Sequence, residues 1–328
     1  MRGRFRIFWS YFVRLSLRKL WNIITAEFGW LLSLISRQPI TGKYPTSITV
    51  ELTNKCNFRC PHCYTGGSFG DREQGMMNRE VFRRIVDQAA GKAHRLLLYF
   101  QGESLLHPEL IDFIRYANKK HLHTYLSTNG SLLAEELSKQ IIASGLDVLV
   151  ISYDGKSQET YGKYRINGNL EALDRAIEIF HHEKLESGSN KPLVILQCIV
   201  MKSNEHEISE IRRLQKSESI DRVQLKTLQL LDFNKTNQWL PSDASYNRYD
   251  TDEKKAKNRV CKQLWRSMVI LWDGQVVACC NDKNGDFAWG SITLNSIAGI
   301  WKCATANEFR KNVLSGSFPE ICGNCFYS

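Results

Sequence analysis

The 328-residue sequence predicts an α/β fold: a partial (β/α)6, TIM-like barrel, preceded by a basic amphipathic helix and followed by a small α+β module. Three observations carry that expectation. Short, continuously apolar segments alternate with segments of helical spacing, as in a parallel sheet covered by helices. Six such βα steps are countable, short of the eight that close a barrel. Near residue 232 the chain turns polar, and a second group of cysteines follows. At 43% hydrophobic and 24% charged residues the chain is globular rather than disordered. It shows no repeat at solenoid periods.

Residues 1–46 form the first unit. Arg2, Arg4, Arg6, Arg14, Arg18, Lys19, Arg37 and Lys43 face a single acid, Glu27, and bulky apolar residues lie between them. No stretch reaches the roughly 20 apolar residues a bilayer span needs. "IFWSYFV" is closed early by Arg14 and no small-residue cleavage site follows, which makes it a poor secretory h-region. A basic helix rich in Trp and Phe suits a membrane interface, so residues 1–40 are a candidate peripheral contact. The other reading is a helix packed on the protein's own core or on a partner. Nucleic acid is not an expected partner, because the cations come with aliphatics and no recognised binding motif.

Residues 47–231 carry the barrel pattern. "SITVELT" reads as a strand, and a polar glycine-containing loop follows its cysteines. "NREVFRRIVDQAA" has helical spacing, with Val81, Ile85 and Val86 on one side. "RLLLYF" is a buried strand, and "PELIDFIRYANKK" is a helix with Pro108 in its first turn. "HTYLSTNG" is a strand and turn, and Gly145 stops the helix "AEELSKQIIASG". Strands "DVLVISYDG", "PLVILQCIVM" and "RVQLKTLQ" follow, separated by helices "NLEALDRAIEIFHHEK" and "EHEISEIRRLQKS". Residues 232–260 read as a polar linker. Residues 261–328 hold a β-hairpin around Asp273-Gly274, a helical stretch over 296–316 and a terminal "CGNC".

Ten cysteines are too few for a disulfide scaffold at this length. Clustered as C-x3-C-x2-C and C-x2-C, they point to metal ligation and a reducing cytoplasm. Cys56, Cys60 and Cys63 lack a fourth partner on their loop. Structural zinc wants a closed tetrahedron, and His62 is awkwardly placed beside the ligand Cys63. A cubane iron–sulfur cluster accepts three thiolates and leaves one iron open. Gly66, Gly67, Gly70 and Gly75 form no dinucleotide fingerprint. Cys198 and Cys303 read as core thiols, His107 as a helix-capping residue and Asp273 as a turn residue.

C-x3-C-x2-C after the first strand resembles the radical S-adenosylmethionine superfamily. "YFQGESLLHP" occupies the place of that family's Gly-Gly-Glu motif, with Gln101 replacing the first glycine. "STNG" and "SYDG" fall at the ends of the third and fourth strands. The C-terminal module resembles the SPASM or twitch extension, which holds an auxiliary [4Fe-4S] cluster. The resemblance spans roughly residues 47–328. It implies S-adenosylmethionine and two [4Fe-4S] clusters as cofactors. Cys56, Cys60 and Cys63 would hold the first cluster, and Cys261, Cys279, Cys322 and Cys325 the auxiliary one, with Cys280 competing with Cys279. Gly102, Glu103, Ser127, Asn129, Ser152, Asp154 and Arg165 are the implied cofactor-binding residues. Glu103 would accept the cofactor ammonium, and Arg165 would suit its carboxylate.

The implied activity is hydrogen abstraction from an unknown substrate by a 5′-deoxyadenosyl radical. Dehydrogenation or bond formation follows, with electron return through the auxiliary cluster. An electron donor such as flavodoxin or ferredoxin is then a partner. The basic helix motivates a carbohydrate or envelope-precursor substrate and a place on the inner face of the membrane. The alternative is a peptide- or protein-modifying maturase. The non-enzyme alternative is a zinc-binding module that docks on membranes.

Overall fold

The computed structural model describes residues 2–67, 70–231, 237–249, 260–323 and 325. The chain runs α1 (Arg2–Val13), α2 (Leu17–Ser36), β1 (Ser47–Val50), α3 (Arg79–Ala89), β2 (Arg95–Leu97), α4 (Leu110–Lys119) and β3 (His123–Thr128). It continues α5 (Glu135–Ala143), β4 (Val148–Ser152), α6 (Gln158–Tyr164), α7 (Leu170–Glu186), β5 (Leu193–Val200), α8 (Ile208–Arg213) and β6 (Arg222–Thr227). The C-terminal part holds β7 (Ser267–Ile270), β8 (Gln275–Val277), β9 (Ala288–Ser291), α9 (Ile297–Trp301) and α10 (Ala304–Ser315).

β1 to β6 pair in parallel in sequence order, giving the six-stranded partial barrel. The central strands β4 and β5 are apolar almost throughout because both faces are covered. On β4, Leu149 and Ile151 join the core under the helices, while Val148 and Val150 point with Ile195 into the barrel. α3 buries Phe82, Ile85, Val86 and Ala89, so Phe82 rather than Val81 completes its inner face. Phe82 stacks on Phe113 of α4 at 4.0 Å between centroids.

The C-terminal α+β unit continues the same sheet. β7 pairs in parallel with β1, Ser47 opposite Ser267, and β8 and β9 follow antiparallel. The β1 edge is thereby paired instead of exposed. The β7–β8 turn falls at Asp273-Gly274, where Gly274 has φ +87° and the Asp273 carboxylate accepts the Gln275 amide at 2.9 Å. The helical stretch over 296–316 divides in two. The Cys303 sulfur accepts the Ala306 amide at 3.4 Å and caps α10, so this thiol is a half-buried cap as well as a core contact. Of the expected linker, residues 232–236 and 250–259 lie outside the described residues. The remainder folds back on the barrel, where the Leu230 amide donates to the Tyr249 hydroxyl at 2.7 Å.

The single N-terminal helix expected from the sequence is two helices. Ser16 ends the first and caps the second by accepting the Lys19 amide. Together they close the amino ends of the barrel strands. Ile7 packs against Val148, Val150 and Ile195 at the barrel floor. Arg14 pairs with buried Asp147, and Lys19 Nζ donates to the His121 carbonyl. Ser10 Oγ lies 3.1 Å from His123 Nε2, and the Tyr11 ring meets His94 edge-on at 3.9 Å.

This floor confers a pH dependence. His94 and His123 are 1% and 0% exposed. Burial pushes His94 down to about 3, aided by nearby His123, and burial pushes His123 down to about 4 against the opposing pull of Asp147. The unfolded chain therefore binds more protons than the folded one below the ordinary histidine pKa of about 6.5. Their contribution is intact above that pH. On acidification each histidine should remove about 1.4 kcal/mol of stability per pH unit until its folded pKa is reached. Urea unfolding at pH 7.5 and pH 5.0 should show the loss, and His94→Gln/His123→Gln should flatten it.

Candidate functional site

The cysteine loop leaves the carboxyl end of β1 and is clamped at both ends. Thr53 Oγ1 donates to the Gly75 carbonyl at 2.7 Å, and the Asn54 carboxamide bonds the Glu73 carbonyl and the Gly75 amide, each at 2.8 Å. Within it the Cys63 amide donates to the Cys60 carbonyl at 3.2 Å. Cys60 is buried, and Cys56 and Cys63 are half-buried. Around them pack Phe58, Tyr164, Met201, Leu228 and Leu230. Burial pushes the Cys56 thiol up to about 11 and raises Cys60 against the lowering pull of Arg165.

The loop after β2 locks onto this one. Gly102 has φ +72°, and a Cβ there would lie 2.4 Å from the Thr53 carbonyl oxygen and 2.7 Å from that of Lys55. Only glycine fits such a conformation at such an approach. The next amide, Glu103, donates to the Lys55 carbonyl at 2.8 Å. The Glu103 carboxylate is 3% exposed and accepts the amides of Leu105 at 3.0 Å and Asn129 at 2.7 Å. Burial raises its pKa, and those amides oppose the rise. Glu103 thus ties the β2 and β3 loops together. Asn129 reaches across to Asn57 at 2.9 Å and accepts from Ser131. Ser127 and Ser152 lie on the barrel-facing side of β3 and β4, at their carboxyl ends.

Asp154 and Arg165 form a buried pair at 2.6 Å between Asp154 Oδ2 and Arg165 Nε. The other Asp154 oxygen accepts the Ile199 amide at 2.6 Å. Arg165 Nη1 lies 3.6 Å from Cys60 Sγ. Burial opposes the guanidinium charge, but Asp154 and Cys60 outweigh it and hold the pKa well above the ordinary value. Asp154 is fully buried and engaged at both oxygens, so it orients Arg165.

Sequence reasoning missed three features of this end of the barrel. Trp239, placed in a linker, packs edge-on against His62 at 5.2 Å and near Tyr164. Both His62 ring nitrogens are buried without a hydrogen-bond partner. A polar cavity of about 170 Å3 lies between the cysteine loop and the β8–β9 connection, lined by Asn54, Tyr64, Thr65, Gln101, Lys283 and Asn284 among others. In it Gln101 Nε2 and Asn284 Oδ1 lack partners, although Gln101 Oε1 is 3.3 Å from Thr65 Oγ1. The departure of Gln101 from the glycine pattern was the one available signal.

The second cysteine group converges on one cavity. Cys261, Cys279, Cys322 and Cys325 line one small cavity with Leu264, Phe309, Val313, Phe318 and Ile321. Burial pushes Cys261 up to about 12 and Cys322 to about 11. Cys280 is exposed and lies outside that lining. The Gln229 side chain donates to Asn281 at 2.9 Å and joins this module to the end of β6. Cys280→Ser should leave iron content unchanged, whereas Cys279→Ser should lower it; equal iron loss in both would contradict this placement. Among the described residues no group of three or more Cys, His, Asp or Glu forms a site for a single metal ion. The thiols fall into two sets, three beside the Arg165 cation and four around an apolar cavity.

Comparisons with known proteins agree. A family profile described as the radical SAM superfamily matches residues 50–214, and an iron–sulfur cluster-binding domain, SPASM, matches residues 261–326. The chain is 24% identical to the tungsten-containing aldehyde ferredoxin oxidoreductase cofactor-modifying protein of Pyrococcus furiosus, over 84% of this chain and 86% of that protein. It is 25% identical to the PqqA peptide cyclase of Gluconobacter oxydans, over 86% and 82%. Its fold is similar to that of BtrN in complex with AdoMet and 2-DOIA, with TM-score 0.55, 18% identity and coverage of 85% and 92%.

Proposed function

The chain belongs to the radical SAM superfamily and carries a SPASM domain, and from that premise we propose that it oxidatively modifies a peptide or protein side chain. A [4Fe-4S] cluster with S-adenosylmethionine supplies, when bound, a one-electron route to a hydrogen-abstracting 5′-deoxyadenosyl radical. Cys56, Cys60 and Cys63 would hold that cluster and leave one iron corner for the cofactor. Arg165, oriented by Asp154, places a fixed positive charge beside Cys60. Gly102 and Glu103 shape the adjoining loop, and Ser127, Asn129 and Ser152 offer polar groups at the carboxyl ends of the strands. Cys261, Cys279, Cys322 and Cys325 would ligate an auxiliary cluster completely. Such a cluster has no corner for substrate and suits electron return, which makes the reaction an oxidation. A flavodoxin or ferredoxin would supply the first electron.

One observation carries the substrate reading: the polar cavity between the cysteine loop and the β8–β9 connection. Its lining carboxamides, Gln101 and Asn284 among them, carry both donors and acceptors, the two kinds of group that a peptide amide pairs with. Similarity to a peptide cyclase over most of both chains supports it. The carbohydrate or envelope-precursor reading rested on the N-terminal segment. That segment closes the opposite end of the barrel, so it supplies no argument about the substrate. Anaerobically reconstituted protein should release 5′-deoxyadenosine when given co-encoded peptides and should leave a peptide lacking two hydrogens. Release with lipid-linked glycans or nucleotide sugars, and none with peptides, would overturn the reading.

A further inference from the structure

We propose that α1, α2 and the pocket beside them dock the protein on an anionic membrane surface, with the cysteine-bearing end of the barrel turned away from the lipid. Twelve of the seventeen exposed large apolar side chains among the described residues lie between Phe5 and Ile35, so exposure is concentrated on these helices. Trp9 is 60% exposed, Trp21 67% and Leu17 87%, while the opposite sides of the helices bury Ser10, Lys19 and Asn22 against the barrel. No described helix is long and apolar enough to cross a membrane, which leaves the interfacial mode.

The charge is complementary to acidic lipid. A cavity of about 310 Å3 adjoins α2, and its lining includes Arg18, Trp21, Lys43, Tyr44 and Lys92 but no carboxylate. Lys92 Nζ sits 5.0 Å from the centre of the Tyr44 ring. The one acid of the segment, Glu27, is bridged to Lys262 and Arg266 and does not offset these cations. Three cations with aromatic walls suit a lipid phosphate, with Trp rings at headgroup depth. The helices hold the amino ends of the strands, and the cysteine loop leaves the carboxyl end of the four-residue β1, roughly 13 Å away along the strand. The chemistry therefore faces the aqueous side.

Flotation of the anaerobically reconstituted full chain with phosphatidylcholine vesicles, with and without phosphatidylglycerol, tests this. Binding should be at least about tenfold tighter with phosphatidylglycerol and weaken with salt. Trp9→Ser/Trp21→Ser and Arg18→Glu/Lys43→Glu should each weaken it at least about tenfold, with circular dichroism and iron content unchanged. Brominated lipid should quench tryptophan emission, and Trp9→Phe/Trp21→Phe should abolish the quenching while Trp239→Phe retains it. No flotation, or equal binding to neutral vesicles, would overturn the proposal. So would a concentration-dependent dimer that the same helix substitutions abolish. Quenching that depends on Trp239 would overturn the orientation.

Discussion

Replacing Cys56, Cys60 and Cys63 together by Ala should halve the iron of the reconstituted protein, from about eight atoms per chain to about four, and abolish S-adenosylmethionine cleavage. The two cysteine groups belong to separate packing environments. The first sits among Phe58, Tyr164, Met201 and Leu230, and the second among Leu264, Phe309 and Val313. They come from different loops, so loss of the first leaves the second intact. Cys198→Ala is the control. That thiol packs against Ile208 and Ile211, remote in role from either group, and its loss should cost stability but no iron. Iron analysis, labile sulfide and 5′-deoxyadenosine release read the outcome. Full iron retention in the triple variant, or loss of all of it, would sink the assignment of one cluster to each group.

The parts of this architecture legible in the sequence were those set by local repetition. Continuous apolar runs such as "VILQCIV" marked strands buried on both faces, and C-x3-C-x2-C marked the site without any structure. What stayed hidden depends on tertiary contact. α6 was not foreseen, because "QETYGKY" is short and mixed; Ser157 caps it by accepting the Thr160 amide, and its end delivers Arg165 to Cys60. The fates of Glu103 and Asp154 were equally invisible. A carboxylate at a strand's carboxyl end looks like a ligand-binding group, and no sequence pattern shows that both also accept backbone amides from neighbouring strands and loops. Trp239 lay in a polar stretch with no period, and only the return of that stretch to the barrel places it on His62. The N-terminal break was written in Ser16, a capping residue inside an otherwise uniform amphipathic run.

Asp154→Ala should cost about 3–5 kcal/mol, because it strands the Arg165 guanidinium in a buried site without its counter-charge. Asp154 is fully buried and the Arg165 side chain is 13% exposed, so water cannot replace the lost partner. The Ile199 amide also loses its acceptor. Asp154→Asn keeps the shape and an oxygen for Ile199 but removes the charge, and should fall between wild type and Asp154→Ala. Asp154→Ala/Arg165→Met should recover part of the loss, since an apolar pair of similar volume tolerates burial better than a lone cation. Stability and cofactor affinity should then separate. The double variant regains the first but not the second, because the charge beside Cys60 is gone. Urea unfolding gives the stability cycle, and equilibrium dialysis of S-adenosylmethionine gives the affinity. The buried pair is an orienting device for Arg165 only if the coupling energy between the two positions is large; additive single effects would place Arg165 by packing alone.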